Sequence, residues 1–444
     1  MQLIRLFRSE ALVPLLCMMA TQALGELPTA RMTAIFPMGC RIGAEAELQV
    51  HGSDLDGARG LLFSDPGISA EVTDAGERKF KVQVAGGVPA GVYEVRFDGA
   101  LGLTNPRPFV VSSLAEVRSP AGNTTRETAA AIGNNSVVNG IAVSRQSVWF
   151  KVKATRGQRL LLRVSAAALD SRLNPVMLLR DGAGERLARG SDAGLIDYTA
   201  AADGDCLIQI HDATYGGGTE HFFRLENSSG PHVDFVSPPV VSSFTDTEVT
   251  LYGRNLPGSK PSGLKAVDGL SLEQLTVKFS ELIQGGRPGG VLLPPATVTL
   301  DGRVFRLGKG KFASNPFFVG LCEGMSLAME QGDNETADHA QTIPAPGLVA
   351  GRFFPARDVD FFRFPIKKDL VYWLDVFSQR LGKKTNPYIN AQLVGVAKDG
   401  KETPGPAKEF YEIKVNPGGR EFNIANGDVS WRFQAKSNGY CQVM

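Results

Sequence analysis

Residues 356–364 read ARDVDFFRF and place two carboxylates, Asp358 and Asp360, directly before an aromatic run. Aspartate is a poor strand former, whereas the aromatic residues that follow favour a strand. A matching strand occurs earlier in the chain, at Phe150-Lys151-Val152, and the two acids do not precede it. The aromatic strand pattern therefore occurs in both parts of the chain, whereas the two aspartates precede only the second occurrence.

The match belongs to a long internal duplication with a period of roughly 200 to 212 residues. Short segments recur in the same order in both halves of the chain. The matched segments are Phe36-Pro37 with Phe235-Val236, Gly52-Ser53-Asp54-Leu55 with Gly253-Arg254-Asn255-Leu256, Thr104-Asn105-Pro106 with Ser314-Asn315-Pro316, Asn123-Thr124-Thr125 with Asn334-Glu335-Thr336, Gly140 with Gly351, Phe150-Lys151-Val152 with Phe362-Arg363-Phe364, and Asn174-Pro175 with Asn386-Pro387. So many matches in one order are hard to obtain by accident, and we interpret the chain as one arrangement written twice.

Alternating segments in each half predict strands with one buried face and one solvent face. In residues 79–84, Phe80, Val82 and Val84 alternate with polar side chains. The 50 glycines and 26 prolines favour short strands and turns over long helices. We therefore predict an all-β fold of tandem β-sandwiches, with two modules in each half, at 32–112 and 116–228 and again at 231–321 and 326–444.

Residues 1–25 have the pattern of a signal peptide. Arg5 and Arg8 supply positive charge before the apolar run 11–20, and Ala23-Leu24-Gly25 carries the small residues of a cleavage site. The apolar run is too short to span a bilayer, and the alternative interpretation is an uncleaved anchor. We expect an extracytoplasmic mature chain that is secreted, periplasmic or at the cell surface, with no transmembrane segment after signal removal.

The composition limits the function classes. The 444 residues carry a net charge of +1, and no basic patch of the kind that binds nucleic acid stands out. The cysteines beyond the signal segment lack the C-x-x-C spacing of a zinc or redox site. They are Cys40, Cys206, Cys322 and Cys441. We expect them to be buried as small hydrophobic side chains, and disulfide pairing among them stays open.

The motifs of the later module in each half point to a family. The second half reads Glu330, Asn334, Glu335, Ala340, Gly351, Asp358, Asp360, Phe362 and Phe364, and the first half offers Leu173-Asn174-Pro175, Asp181-Gly182 and Asp203-Gly204-Asp205-Cys206. This pattern resembles the bacterial pre-peptidase C-terminal domain, although Glu335 stands where the family usually has aspartate. The resemblance implies a jelly-roll-like β-sandwich. The earlier module of each half resembles the Ig-like domains of the IPT/TIG kind.

The acidic residues of the second half form a candidate calcium site. Some members of the resembled family carry calcium near this segment, and Ca²⁺ takes six to eight oxygen ligands. The candidate ligands are Glu330, Asp333, Asn334, Glu335, Asp358 and Asp360, and the matching positions of the first half are Ser119, Gly122, Asn123, Thr124, Gln146 and Val148. Since the first half keeps the strand pattern without the acids, the fold does not require them. The alternative interpretation is that Asp358 and Asp360 only end a loop and cap its backbone N–H groups.

Catalytic motifs are absent from the sequence. It contains neither a G-x-S-x-G nor an H-E-x-x-H pattern. A cluster of His211, Asp212 and His221 invites a metal interpretation, but its spacing matches no known ligand pattern. We therefore expect no catalytic residues and no cofactor besides the calcium. Two classes compete: a non-catalytic binding or scaffold protein, and the accessory region of a secreted hydrolase or an enzyme with a loop-borne site of unrecognised pattern.

The expected partners are extracellular polysaccharide, another protein or the cell envelope. Exposed aromatic side chains such as Trp149, Tyr215 or Tyr388 could form a platform for sugar rings. The competing interpretation for each of them is packing in a core.

The two halves differ at their ends. In the first half a strand, Phe222-Phe223-Arg224-Leu225, follows the segment that contains Cys206. In the second half the corresponding segment is 437–444, and no counterpart of that strand follows in the sequence. We expect module 326–444 to be C-terminally incomplete and less stable, because the chain is a truncated form or because another chain supplies the strand.

The signal pattern generates a direct prediction. N-terminal sequencing of the mature protein should begin at or near Glu26. A mature product that starts at Met1 would contradict export by this segment.

Overall fold

The protein is described by a computed structural model, which covers residues 28–190, 194–243, 247–266, 268–283, 301–353, 357–381, 385–412 and 427–444. The expected signal peptide 1–25 lies outside these residues. The fold is nearly all β, as the alternating pattern predicts. Within the described residues, no helix is long and apolar enough to cross a membrane. The one α-helix among them is α1 (Phe279–Ile283), and short 3₁₀ turns lie at Ala167–Leu169, Gly310–Phe312, Ala337–His339 and Gln379–Leu381.

The strands between residues 31 and 112, which we call unit 1, form two sheets. They are β1 (Arg31–Phe36), β2 (Gly39–Arg41), β3 (Glu45–Ser53), β4 (Gly60–Phe63), β5 (Ile68–Asp74), β6 (Lys79–Val84), β7 (Gly91–Gly99), β8 (Gly102–Leu103) and β9 (Arg107–Ser112). One sheet has the order β1-β3-β6-β5, and the other has the order β2-β9-β7-β4 with β8 on β7. Phe80 and Phe97 meet edge to face between them, with ring centroids 6.1 Å apart.

The strands between residues 115 and 228, unit 2, form two five-stranded sheets. They are β10 (Ala115–Arg118), β11 (Ala130–Ala131), β12 (Ser136–Ile141), β13 (Val148–Ala154), β14 (Arg159–Ser165), β15 (Pro175–Arg180), β16 (Arg186–Arg189), β17 (Leu195–Thr199), β18 (Gly204–Asp212) and β19 (Phe222–Ser228). The orders are β11-β13-β18-β15-β16 and β10-β12-β19-β14-β17. The last strand in the sequence is therefore the central strand of its sheet.

Unit 3 spans residues 232 to 321. Its strands are β20 (His232–Ser237), β21 (Val240–Val241), β22 (Glu248–Arg254), β23 (Lys260–Lys265), β24 (Ser271–Lys278), β25 (Gly302–Phe305) and β26 (Phe317–Leu321). They form sheets of order β20-β22-β24-β23 and β21-β26-β25. Its core gathers Phe279, Phe305 and Phe317.

Unit 4 spans residues 326 to 443. Its strands are β27 (Ser326–Met329), β28 (Gln341–Thr342), β29 (Gly347–Ala350), β30 (Phe362–Ile366), β31 (Val371–Asp375), β32 (Ile389–Val396), β33 (Glu402–Pro404), β34 (Lys408–Phe410), β35 (Ser430–Gln434) and β36 (Gly439–Val443). One sheet has the order β28-β30-β36-β32-β33, with β34 also on β32. The remaining strands form two separate pairs, β27 with β29 and β31 with β35.

The recurring Asn-Pro motif of units 1 and 3 has a structural role. Asn105 accepts a hydrogen bond from the Met32 N–H at 2.9 Å and donates to the Met32 carbonyl at 3.0 Å. Asn315 makes the same two bonds with Val233, at 2.7 and 2.9 Å. The side-chain amide thus stands in for a neighbouring strand at the point where the following proline has no N–H to offer.

Units 1, 2 and 3 are joined by buried contacts. Phe222 and Leu169 of unit 2 are part of the buried cluster of unit 1. Arg254 of unit 3, whose side chain is 2% exposed, pairs with Asp268 at 2.7 Å and reaches Asp197 of unit 2 at 3.5 Å.

A second arginine crosses the same junction. Arg159 of unit 2 pairs with Asp197 at 2.7 Å and with Glu273 of unit 3 at 2.6 Å. The guanidinium of Arg159 thus links a carboxylate of unit 2 to one of unit 3.

The four cysteines are buried, as expected from the sequence. Cys40, Cys206, Cys322 and Cys441 are buried, and none forms a disulfide within the described residues. Burial raises the pKa of the Cys441 thiol to about 12. These thiols are therefore packed as hydrophobic groups and are poor nucleophiles.

Removal of the buried arginine tests the junction. Arg254→Ala should lower the free energy of unfolding by about 3–5 kcal/mol, because Asp197 of unit 2 and Asp268 of unit 3 lose their buried counter-charge. Urea unfolding followed by circular dichroism measures the change. The matched control is Arg59→Ala, whose side chain is 63% exposed and 4.0 Å from Asp98. The control should cost less than about 1 kcal/mol. Equal effects of the two variants would mean that the junction pair does not stabilise the fold.

Candidate metal centre

Two segments of unit 4 bring carboxylates together. Glu330 follows β27, and its N–H donates to the Ala350 carbonyl at 3.0 Å, which extends the parallel pairing of β27 with β29. Asp358 and Asp360 lie in the loop that leads into β30. Because β29 runs toward the same loop, its end places all three acids at one end of the unit.

The three carboxylates form a tight group. One oxygen from each of Glu330, Asp358 and Asp360 lies within 4.8 Å of the others, and each residue is half-buried. Among the described residues, this is the one such group of three or more acidic, histidine or cysteine side chains. The pKa of the Asp360 carboxyl is raised to about 7, first by burial and then by the negative charges of Glu330 and Asp358.

The other three candidate ligands are placed differently. Asp333 and Glu335 are exposed and lie outside the group, and Glu335 acts on Asp360 only through its charge. Asn334 is 1% exposed, and its backbone carbonyl accepts a hydrogen bond from the Phe361 N–H at 2.7 Å. Its Oδ1 atom is buried and has no hydrogen-bond partner among the described atoms.

The asparagine is a structural feature of both halves. The backbone carbonyl of Asn123 in unit 2 accepts a hydrogen bond from the Trp149 N–H at 2.7 Å, and its side-chain Nδ2 donates to the Trp149 carbonyl at 3.0 Å. Asn334 repeats this arrangement with Phe361, where its Nδ2 donates at 3.4 Å. The recurrence of asparagine is therefore explained by the loop that it ties to the following strand.

A glycine makes room for one of the acids. A Cβ on Gly351 would lie 2.3 Å from the Glu330 Oε2 atom, which accepts from the Arg352 N–H at 2.5 Å. At the matching position of unit 2, a Cβ on Gly140 would lie 2.3 Å from the Phe223 ring. The same small residue thus accommodates a core ring in one half and a carboxylate in the other, which the sequence pattern alone did not reveal.

The donor set fits a hard cation such as Ca²⁺. Three carboxylates offer up to six oxygens, and Ca²⁺ accepts mono- or bidentate carboxylates and completes its shell with water. Two of these oxygens already accept backbone N–H groups, at Glu330 and at Asp358, where the Val359 N–H donates at 3.1 Å. The loop-capping interpretation therefore describes part of what the acids do, and it does not explain why three carboxylates lie so close together.

The cluster around Asp212 is a loop anchor. The Asp212 carboxylate accepts from the N–H groups of Asn174, Thr214 and Gly216 at 2.8 to 3.1 Å and from the Thr214 hydroxyl at 2.6 Å. These bonds lower the pKa of Asp212 despite its burial. His211 stacks on Tyr215 with ring centroids 4.4 Å apart. The carboxylate oxygens are thus engaged in holding the loop.

No protein-family model and no curated protein matches the chain. Similar solved structures include the pre-peptidase C-terminal domain of a collagenase from Bacillus anthracis, at 14% identity and a TM-score of 0.19, covering 22% of this chain and 94% of that one. The lysozyme inhibitor PliG from Aeromonas hydrophila is 14% identical with a TM-score of 0.17, and the match covers 26% of this chain and 95% of that one. SGBP-B from the Bacteroides ovatus mixed-linkage glucan utilization locus is 12% identical with a TM-score of 0.16, and the match covers 39% of this chain and 76% of that one. Likenesses of this size do not assign the chain to a family.

The raised pKa predicts how stability depends on pH without metal. The ordinary pKa of an aspartate is near 3.8, and that of Asp360 is about 7, so the folded state holds a proton that the unfolded state has released. This stabilising contribution is complete below about pH 3.8 and is lost as the pH rises through about 7. Thermal melts of the wild type should show a melting temperature that falls as the pH rises through this range, and the Asp360→Asn variant should lack this fall.

Calcium should raise the stability of unit 4, whereas a rise in pH without metal should lower it. At about a 100-fold excess over Kd it should add roughly 2.7 kcal/mol to the stability of unit 4 at pH 8, because it binds the folded state. The double variant Asp358→Asn, Asp360→Asn should lose the response. The exposed Asp333→Asn, outside the group, is the control and should keep it. Identical melts with and without calcium would favour loop capping alone.

Proposed function

We propose that this chain is an extracytoplasmic, non-catalytic binding and scaffold protein that engages polysaccharide or protein outside the cell. Its tandem β-sandwiches space and orient binding surfaces, and calcium on the three carboxylates of unit 4 stabilises one end. The observation that carries the proposal is an exposed aromatic pair beside a carboxylate on unit 4.

The pair consists of Tyr388 and Tyr411. Their side chains are 38% and 58% exposed, and their ring centroids are 5.3 Å apart at an angle of 54°. The Tyr411 hydroxyl donates to the Glu409 carboxylate at 2.8 Å. Hydrogen bonds from Tyr411 and Tyr388 lower the pKa of Glu409.

Strand pairing holds this group in place. Glu409 lies on β34, which pairs with β32 directly after Tyr388, in the register Asn390 with Glu409. Rings that adjoin the ends of paired strands present an apolar surface at low entropic cost, with a charged acceptor at their edge. This combination suits a sugar ring, whose C–H face packs on an aromatic ring while its hydroxyls donate to a carboxylate.

The other aromatic candidates are less available. Trp149 is half-buried in β13. Tyr215 is 45% exposed, but one face of its ring is stacked on His211. Tyr388 is thus the candidate that retains an exposed ring next to a second ring and an acid.

The scaffold part of the proposal is supported by the junctions. Phe222 is buried in the core of unit 1, and the charge pairs of Arg159 and Arg254 join unit 2 to unit 3. Such contacts favour a fixed geometry between neighbouring units over free rotation about linkers.

A glycan and matrix-protein binding screen of the mature chain tests the proposal. We expect at least one ligand, and we expect the double variant Tyr388→Ala, Tyr411→Ala to weaken its binding at least about tenfold, or roughly 1.4 kcal/mol. The control is Phe312→Ala on unit 3, which is 54% exposed and distant in sequence from this pair. Unchanged circular dichroism should accompany both variants.

Two results would count against the proposal. A complete absence of ligands in the screen would contradict a binding role. A ligand that binds the double variant and the wild type equally would place the binding surface elsewhere on the molecule.

A further inference from the structure

The two sheets of unit 2 present different outer surfaces. The sheet β10-β12-β19-β14-β17 faces the neighbouring units, since Arg159 pairs with Glu273 of unit 3 and Arg224 lies against Gly39 of unit 1. The sheet β11-β13-β18-β15-β16 lies on the other side of the sandwich, so its outer surface points away from these junctions. We call this outer surface the open face.

The strand register shows which side chains share the open face. Lys151 of β13 lies opposite Leu207 of β18, which lies opposite Arg180 of β15. Arg180 lies opposite Arg186 of the edge strand β16, and the residues that alternate with this row fill the core. Side chains two positions along a strand, and their partners on the next strand, lie on the same face. The basic residues of the open face are therefore Lys151, Lys153, Arg180, Arg186 and Arg189.

These basic side chains differ from those of the other sheet in their ion pairing. Arg159, Arg163 and Arg224 on the other sheet each contact a carboxylate at 2.6 or 2.7 Å. Within the described ranges, none of the five basic side chains of the open face lies within 4.0 Å of a carboxylate. The charges that face the neighbouring units are thus neutralised inside the molecule, and those of the open face are not.

Acidic side chains adjoin only one end of the open face as the structure describes it. Asp205 lies opposite Lys153, and Asp181 and Glu185 lie in the turn between β15 and β16. Arg189 lies opposite Leu178, on the side of Arg180 that is farther from this turn. Five basic residues beside three acidic ones leave a positive excess, and such an excess on an open surface attracts ligands of negative charge.

The arginine in the middle of the open face is held in place. The Arg180 Nε donates to the Gln209 Oε1 at 2.9 Å, and its Nη1 donates to the Gly184 carbonyl at 2.9 Å. Gln209 is fixed in turn, because its Nε2 donates to the Ser147 hydroxyl at 2.9 Å. A guanidinium that is already oriented loses less conformational entropy when it binds an anion.

Aromatic rings lie at the end of the open face that is remote from the acids. His211 follows Gln209 by two residues on β18 and therefore lies on the same face. Tyr215 stacks on His211 with ring centroids 4.4 Å apart and an angle of 6°, and it is 45% exposed. Because one side of the Tyr215 ring covers His211, its other side faces outward. His211 and Leu207 are four residues apart on one strand, or about 13 Å, which is longer than a single sugar ring.

We propose that the open face of unit 2 binds an acidic polysaccharide. Its carboxylate or sulfate groups pair with the basic side chains around Arg180, and a sugar ring of the same polymer packs on the outward side of Tyr215. The inference rests on the proposed binding role of the chain and adds a polymer class and a surface that is distinct from the pair Tyr388 and Tyr411. The export signal pattern favours polysaccharide over nucleic acid as the polyanion that this surface meets.

Binding of labelled polymers to the full mature chain tests the proposal by fluorescence anisotropy at low salt. Chondroitin sulfate and polygalacturonate, which carry sulfate and carboxylate groups, should bind, and neutral dextran should not. The double variant Arg186→Gln, Arg189→Gln should weaken binding of the acidic polymers at least about tenfold, or roughly 1.4 kcal/mol. Both side chains are exposed, so its thermal melt should match that of the wild type. Arg180→Gln should also weaken binding.

The matched control removes the same charge elsewhere. The double variant Arg59→Gln, Lys260→Gln alters exposed side chains of units 1 and 3 and should keep the affinity of the wild type. An equal loss in the two double variants would mean that net charge alone attracts the polymers, and it would overturn the proposal.

The tyrosine supplies a readout that charge alone would not move. Asparagine tolerates the left-handed backbone of residue 215, whose φ is 58°. Tyr215→Asn should therefore weaken binding of chondroitin sulfate but not of inorganic polyphosphate, which has no ring to stack. An equal effect on both polymers, or none on either, would contradict the role of the ring.

Three further outcomes would overturn the inference. Dextran that binds as tightly as the acidic polymers would remove the role of charge. Oligothymidylate that binds more tightly than chondroitin sulfate would assign the open face to nucleic acid. Binding of a neutral glycan that depends on Tyr388 and Tyr411, without binding of any acidic polymer, would leave the proposed function intact and overturn this inference alone. Loss of acidic-polymer binding in the β16 variant supports the inference even where the tyrosine pair binds no ligand.

Discussion

The arrangement of units 1 and 2 depends on β19, because this strand satisfies hydrogen bonds on both of its edges and contributes side chains to two cores. Phe223 and Leu225 point into unit 2, whereas Phe222 is buried in the core of unit 1. Arg224 pairs with Glu116 at 2.7 Å, and a Cβ on Gly39 of unit 1 would collide with its guanidinium. One strand therefore closes a sheet and docks a neighbour. Among the described residues of unit 4, β27 with β29 and β31 with β35 form two separate pairs.

Several residues that recur in both halves serve the backbone. Asn105 and Asn315 replace a strand neighbour beside a proline, and Asn123 and Asn334 tie a loop to the strand that follows. Each solves a hydrogen-bonding problem that the fold poses in both halves, which is sufficient reason for its recurrence. The carboxylates of Glu330, Asp358 and Asp360 occur in one half only, and their repulsion costs stability. They are therefore not explained by the hydrogen bonding that the two halves share.

The surface of unit 4 carries the features that are proposed to bind ligands. Tyr388 lies directly before β32 and Tyr411 directly after β34, and these two strands pair with each other. The acidic group lies where Glu330 leaves β27, next to β29. A cation that draws the three carboxylates together would thus also fix the end of β29.

Alternation of apolar and polar residues determined the all-β class, since a period of two is read directly from neighbours in the chain. The matched Asn, Gly and Phe positions also aligned the two halves. The sequence could not decide which of the six oxygen-bearing residues converge, because Glu330 and Asp360 meet only after β27 and β29 pair. Nor could it show that β19, the last strand of unit 2 in the sequence, is the central strand of its sheet. That position follows from the order β10-β12-β19-β14-β17, in which the last strand of the sequence inserts between two earlier ones, and only pairing in three dimensions sets such an order.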